Sequence, residues 1–514
     1  MLQNLIKYEE RSFVKDLNKV GDQKSKLLKM YKLIKLRKVI DQDQVTLSLY
    51  GNLDKKSLEA YRKLCDRMID KVFNLLANFE NYLQDKNEYS DVHFKRVYVN
   101  RNLFLIQSLK YKYLPSDWNK KLIQSTLKIC DEYEYLEESI ILDRHNLLCN
   151  YENGNHDKII FYTNEIRRRM NWLNYVLLAD NYIYKYIEDV QHKSIDDKSR
   201  ISEMKIVVKE LEEYFLETEL QLINYILLMI KLQLAHYEEK FNKAEDLIFE
   251  IIRVTEFYPA IKKRGPIVQN YMNLAYTQFY LFKFNDAFNS AMKAVNVFKD
   301  KVYVMNMNLE SVVFAQIYLI HYAKADKILQ EILSSGVEGN NPEQLSKRHV
   351  MMAFLKYLQG DYKTAFKHLQ LTKEVETDRE GWNLGIRMLN IYLTLSTEKV
   401  DLADQRINAM RKHIERTSKM RNLRKRDIII FRILSHLSRS GFDFEEVWEE
   451  RKKDFALLRS NTPDCNWVPR SHELIIFDQW FEAKMKNKPY VPVFPSPKTE
   501  YEEEAVDISQ MESV

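Results

Sequence analysis

The chain has 514 residues and a net charge of only +5, with 45% hydrophobic and 30% charged side chains. Apolar material suffices for a sizeable core, and so mild a charge gives no argument of its own for a nucleic-acid partner. Ten glycines and ten prolines, about 2% each where about 7% and 5% are usual, are too few for the turns of a strand-rich fold. The chain is expected to be all-α.

Cys65, Cys130, Cys149 and Cys465 stand far apart and form no CxxC pair. Reduced thiols and a cytoplasmic location are expected, with no disulfide frame or zinc site. The opening MLQNLIKYEERSF has no continuous apolar run, so no signal peptide is expected. The longest apolar stretch, Leu222–Ile230, is too short to span a bilayer.

Residues 1–90 read as an N-terminal helical block. Leu27, Leu28, Tyr31, Ile34 and Leu36 recur at helical spacing, and Lys24, Lys26, Lys29, Lys32, Lys35, Arg37 and Lys38 make the outer face basic. Gly51-Asn52 interrupts the pattern. Leu58, Tyr61, Leu64, Met68, Val72, Leu75 and Leu76 then mark a second amphipathic helix. Beyond residue 95, helical pairs continue, punctuated at Pro115 and Asp117 and at Asn153-Gly154-Asn155.

A repeat emerges in the middle of the chain. Leu274–Ala294 carries Leu-Ala on one helix, Phe284 at the turn, and Ala287, Ala291 and Ala294 on the next helix. An aromatic or β-branched residue followed three positions later by alanine recurs at Phe241/Ala244, Tyr322/Ala325, Tyr362/Ala365 and Val400/Ala403. The pattern resembles the tetratricopeptide repeat, with a period longer than the usual 34 or so. The expected fold is therefore a tetratricopeptide-like α-solenoid over residues 95–415, a right-handed superhelix of antiparallel helix pairs. A helical cap over 416–487 is marked by Trp448, Phe455 and Leu458 on one helix and Leu474–Phe481 on another. Residues 488–514, rich in proline and then acidic, read as a disordered tail. The segments LIKYEERSFVKDLNK and LDKKSLEAYRKLCDRMIDKVFNLLANF, leading into the repeats, resemble a group of long helical repeat proteins of Bacteroidetes-type bacteria. That resemblance implies architecture and source, and no mechanism.

No catalytic equipment is legible. The ten glycines form no phosphate loop, dinucleotide fingerprint or nucleophile elbow. His472-Glu473 begins a zinc-protease motif, but Ile476 stands where the second histidine is needed. No cofactor or metal is expected, and the chain is not expected to be an enzyme.

In the repeat geometry the first helix of each pair lines the concave side. This places Asn273, Tyr276, Phe279, Tyr280, Phe314, Tyr318, Phe354 and Tyr357 on or near a candidate protein-binding groove, unless the rings pack into the solenoid itself. The densest basic cluster is Arg411, Lys412, Arg416, Lys419, Arg421, Arg424, Lys425 and Arg426. It is read as a solvated face, a dock for the acidic tail, or a phosphate contact. The favoured function is a scaffold or adaptor binding another protein or peptide, with no membrane partner. The alternative is a peptide-sensing or nucleic-acid-associated regulator using the basic helices at 24–38 or 411–426. A third reading rests on Arg406-x6-His413, a spacing that resembles all-helical RNases of the HEPN type.

Overall fold

The computed structural model describes residues 26–35, 41–76, 91–109, 116–188, 197–262, 264–297, 302–335, 342–374, 381–418, 423–460, 462 and 464–495. Among the described residues the chain is all-α, with 22 α-helices, one π turn and no strand. No helix among them is long and apolar enough to cross a membrane. Two compact units form, one from Met1–Gln233 with Arg253–Pro266, the other from Leu234–Ile252 with Ile267–Val514.

The N-terminal helices are α1 (Lys26–Lys35), α2 (Gln42–Tyr50) and α3 (Lys55–Leu76). Met30, Tyr31, Val45, Leu64 and Met68 form their shared core, and Lys26, Lys29 and Lys32 face outward. Lys24, Arg37 and Lys38 lie outside the described residues. Gly51 ends α2 in the left-handed conformation, φ 80°, where glycine carries no Cβ penalty. Next come α4 (Asp91–Leu109), α5 (Ser116–Glu132), α6 (Leu136–Glu152), α7 (His156–Ile183) with its π turn Tyr184–Glu188, and α8 (Asp197–Thr218).

The repeats follow as α9 (Gln221–Tyr237) and α10 (Phe241–Phe257), α11 (Arg264–Tyr280) and α12 (Phe284–Val297), α13 (Val302–Tyr318) and α14 (Tyr322–Ser334), α15 (Pro342–Leu358) and α16 (Tyr362–Gln370), and α17 (Trp382–Ser396) and α18 (Val400–Ser418). Each second helix starts on one of the five aromatic or β-branched residues that the sequence spacing singles out. Ala244, Ala287, Ala325, Ala365 and Ala403, three positions on, are fully buried. A methyl side chain there lets neighbouring helices close to packed-core density. The long period reflects long first helices, 17 residues each in α11, α13 and α15.

The turns inside the pairs explain how the chain manages with so little glycine. Glu239, Phe282, Ile320, Gly360 and Glu398, each two residues before a second helix, all have φ between 55° and 77°. The next amide closes a Schellman-type bond back to the first helix, as in Lys240 to Ala235 at 2.8 Å, Lys283 to Gln278 at 2.9 Å and His321 to Gln316 at 2.8 Å. Only one of these five positions is glycine. The others accept a left-handed conformation costing about 1–2 kcal/mol, offset by the helix packing that each turn allows.

The C-terminal part comprises α19 (Lys425–Arg439), α20 (Phe444–Glu450), α21 (Lys452–Arg459) and α22 (Phe477–Met485). Two details differ from the sequence reading. Trp448 and Phe455 fall on separate helices, α20 and α21, and their rings meet at 4.3 Å. Leu474–Ile476 are not helical, because α22 starts only at Phe477.

Candidate interaction surfaces

In the second unit the first helices α11, α13 and α15 carry the aromatic residues that the repeat pattern assigns to a groove. The structure corrects its openness. Phe279, Phe314, Tyr318, Phe354 and Tyr357 are buried, Asn273 and Tyr280 are half-buried, and only Tyr276, at 38%, is exposed. The cover is the chain's own segment 464–495. The Arg470 amide donates to Tyr318 Oη at 2.7 Å, and its guanidinium donates to Ser311 Oγ at 3.1 Å. That guanidinium also lies 5.3 Å from both the Phe279 and Phe314 rings, a cation–π placement. Farther along, Trp480 Nε1 donates to Tyr357 Oη at 2.8 Å, and its ring packs at a tilt against Tyr392, 4.5 Å between centroids.

Glycine makes room for this segment at α17. A Cβ on Gly385 would stand 2.5 Å from the His472 carbonyl oxygen, and one on Gly381 would stand 2.6 Å from the His472 ring. The pair Gly381/Gly385 thus marks a close approach of chain to helix.

A buried ionic hub rivets the segment to α19. Arg426 Nε and Nη2 grip Glu473 at 2.5 and 2.8 Å, Nη2 also reaches Asp478 at 3.1 Å, and Nη1 donates to the carbonyls of Leu458 and Cys465 at 2.7 and 2.8 Å. Burial opposes the Arg426 charge, but Glu473 and Asp478 outweigh it and hold its pKa above the ordinary value. Burial likewise pushes Asp478 up, against the pull of Arg426. Beside them, Asp427 accepts from His472 Nε2 at 2.9 Å and from Arg424 at 2.8 Å. Burial would raise Asp427, yet His472 and then Arg424 hold it below the usual carboxylate range. His472 and Glu473, the incomplete zinc motif, are thus among the segment's polar anchors.

Residues 488–495, which the sequence reading places in the tail, include side chains packed on the second unit. Tyr490 Oη accepts from the Ile476 amide at 3.0 Å, and Pro492 is buried. The Phe494 ring packs against Phe284, Tyr318 and Trp467 at 5.0–6.1 Å. Residues 496–514 lie outside the described residues.

The basic cluster does not form one surface. Arg411, Lys412, Arg416 and Lys425 are exposed, but Arg424 pairs with Asp427 and Arg426 is fully buried in the hub. Lys419 and Arg421 lie outside the described residues. Of the RNase-like pair, Arg406 bonds the Asn390 carbonyl at 2.8 Å and the Thr394 hydroxyl, and lies over the Phe366 ring. His413 is buried, with Arg416 3.3 Å from its Nδ1. Arg406 is thereby tied into α17.

In the first unit a cavity of about 230 Å³ is lined by Cys130, Asp131, Glu134, Arg169, Trp172 and neighbours. Its walls partner one another. Arg169 pairs with Asp131 at 2.8 Å, and Glu134 accepts the Gln221 and Leu222 amides at 2.7 and 2.9 Å. Burial pushes the Cys130 thiol up to about 12, which disfavours its thiolate form.

Sequence reasoning missed an apolar flank on α7. Met170, Leu177 and Tyr184 are 57%, 58% and 59% exposed, and Ile159, Ile166 and Leu173 lie half-buried. Each row repeats at seven residues, and the two rows are offset by three and four. Such a stripe is the signal of a helix-facing seam, and its seven-residue spacing is present in the sequence itself.

No protein-family model matches the chain, and no curated protein matches it. Among solved structures it is similar to the crystal structure of a Signal Transduction ATPase with Numerous Domains protein with a tetratricopeptide repeat sensor from Pyrococcus horikoshii. The identity is 12% and the TM-score 0.37, and the match covers 88% of this chain. The chain spans 66% of that protein's length, less than two thirds.

Proposed function

We propose that the chain is a protein-binding scaffold of tetratricopeptide-like helix pairs that performs no chemistry of its own and works in the cytoplasm. The sequence resemblance to helical repeat proteins of Bacteroidetes-type bacteria bears on the architecture and a bacterial source in that reading, not on the mechanism. The observation that carries it is the flank of α7. Large apolar side chains left in water along 15 residues, from Met170 on α7 to Tyr184 at the start of its π turn, mark an interaction site. Their heptad spacing suits an amphipathic helix of a partner, which would meet both rows at once.

The test is affinity capture from the native cell with the full chain and with its Met170→Asp/Leu177→Asp variant. Both positions are exposed, so folding should be retained. A protein recovered stoichiometrically by the unmodified chain and lost with the variant is the expected result. An unchanged set of captured proteins would contradict the reading. Loss of all capture on raising salt moderately would point instead to phosphate contacts through Arg411, Lys412 and Arg416.

A further inference from the structure

The stretch 490–494 is held by the second unit in the manner of a bound peptide. Burial alternates with period two. Tyr490, Pro492 and Phe494 point inward, whereas Val491 and Val493 are 64% and 71% exposed, the alternation of an extended chain. The Gln479 side-chain amide clamps the backbone of Val493 in both directions. Gln479 Nε2 donates to the Val493 carbonyl and Val493 N donates to Gln479 Oε1, each at 2.8 Å. One aromatic end is fixed by the bond from the Ile476 amide to Tyr490 Oη, with Tyr357 alongside. The other is fixed by the nest of Phe284, Tyr318 and Trp467 around Phe494. Backbone clamping, alternate side-chain pockets and a preset proline are the ingredients of extended-peptide recognition.

We infer that the surface built by Phe284, Tyr318, Tyr357, Trp467, Ile476 and Gln479 is a binding site for an extended peptide of the pattern Tyr-x-Pro-x-Phe, occupied in the resting chain by its own residues 490–494. The inference deepens the scaffold reading and rests on it. The site is separate from the α7 flank, so its failure would leave the α7 result standing. A peptide in trans must compete with a tethered copy whose effective concentration is on the order of millimolar. The resting chain should therefore bind such a peptide poorly, and a chain whose own segment is weakened should bind it well.

The experiment uses the full chain and its Tyr490→Ala/Phe494→Ala variant, with a fluorescein-labelled synthetic peptide of residues 488–495 read by anisotropy. A control peptide carries alanine for Tyr490 and Phe494. Circular dichroism is recorded on both proteins. The expected result is a helical variant that binds the peptide at least about tenfold more tightly than the unmodified chain does, discriminates against the control, and loses the binding when Gln479→Ala is added. A helical variant that binds no better than the unmodified chain would overturn the inference. So would equal binding of the two peptides, which is non-specific adhesion. A variant that loses its cooperative helical fold would overturn it too, since residues 490–494 would then be core and not ligand.

Discussion

Replacing Arg426 by methionine removes the centre of the hub while keeping its apolar stem. Five donated hydrogen bonds disappear, two to Glu473, one to Asp478 and two to backbone carbonyls. Glu473 and Asp478 remain buried, keeping only the longer contacts to Arg424 at 4.0 Å and to Arg459 at 3.4 Å. Stranding one partner of a buried pair costs about 3–5 kcal/mol, and each orphaned carbonyl adds about 1 kcal/mol unless water enters. Uptake of a proton by the stranded carboxylates limits the sum, so a loss of about 4 kcal/mol is expected near pH 7. For a unit of this size that corresponds to a fall of roughly 10 °C in Tm. Asp478, already pushed up by burial, loses the Arg426 attraction that restrains it. A group whose folded pKa lies above its unfolded value gains stability for the fold as pH falls. The deficit of the variant should therefore shrink between pH 7 and pH 5. Urea unfolding followed by circular dichroism at both pH values measures it. A loss under about 1 kcal/mol, or one indifferent to pH, would refute the reasoning, because the hub would then be solvated or unformed.

Gly385→Ala opposes two effects. Alanine inside a helix normally gains about 1 kcal/mol over glycine, but this Cβ would collide with the His472 carbonyl, so a net loss of about 1–3 kcal/mol is expected in thermal unfolding. Glu239→Gly relieves a left-handed residue at φ 55° and should raise stability by about 1 kcal/mol in the same assay. His236 bonds Thr277 Oγ1 at 2.9 Å between the rings of Phe241 and Tyr276, and burial pushes its pKa down to about 4. Its unfolded value is about 6.5, so the unfolded chain takes the proton first, and stability is lost as pH falls from about 6.5 towards 4. A contribution of about 2 kcal/mol, present in the unmodified chain and absent in His236→Gln, is expected from urea titrations across that window.

The repeat was legible in the sequence because its signals are local. An aromatic start and an alanine three positions on fix where each second helix begins and where it packs, and all five such alanines are buried. The turns were not legible, since Glu239, Phe282, Ile320 and Glu398 adopt a conformation that composition assigns to glycine. Sequence periodicity also put Phe279, Phe314, Tyr318, Phe354 and Tyr357 on one face, but could not show what lies on it. The cover comes from residues such as Arg470, 152 positions from its partner Tyr318, and no local pattern reports such a pairing. Charge density misled for a related reason. Arg424 and Arg426 sit in a basic run, yet Arg424 pairs with Asp427 inside that run, and the acids that hold Arg426 inside, Glu473 and Asp478, are about 50 positions away. The proline-rich start of the expected tail shows the same limit. Its composition suggests disorder, but Tyr490 and Phe494 find aromatic partners contributed by helices far upstream.

Hydrogen–deuterium exchange on the full chain tests most directly whether the first-helix face is covered by the chain itself. The amides of Arg470 and Val493 donate to Tyr318 Oη and Gln479 Oε1, so peptides spanning 464–495 should exchange slowly, as a packed element does. In Tyr490→Ala/Phe494→Ala, protection should drop over 488–495 and persist in α17 and α19. Rapid exchange throughout 464–495 in the unmodified chain, beside protected helices, would contradict the covered face and restore an open groove.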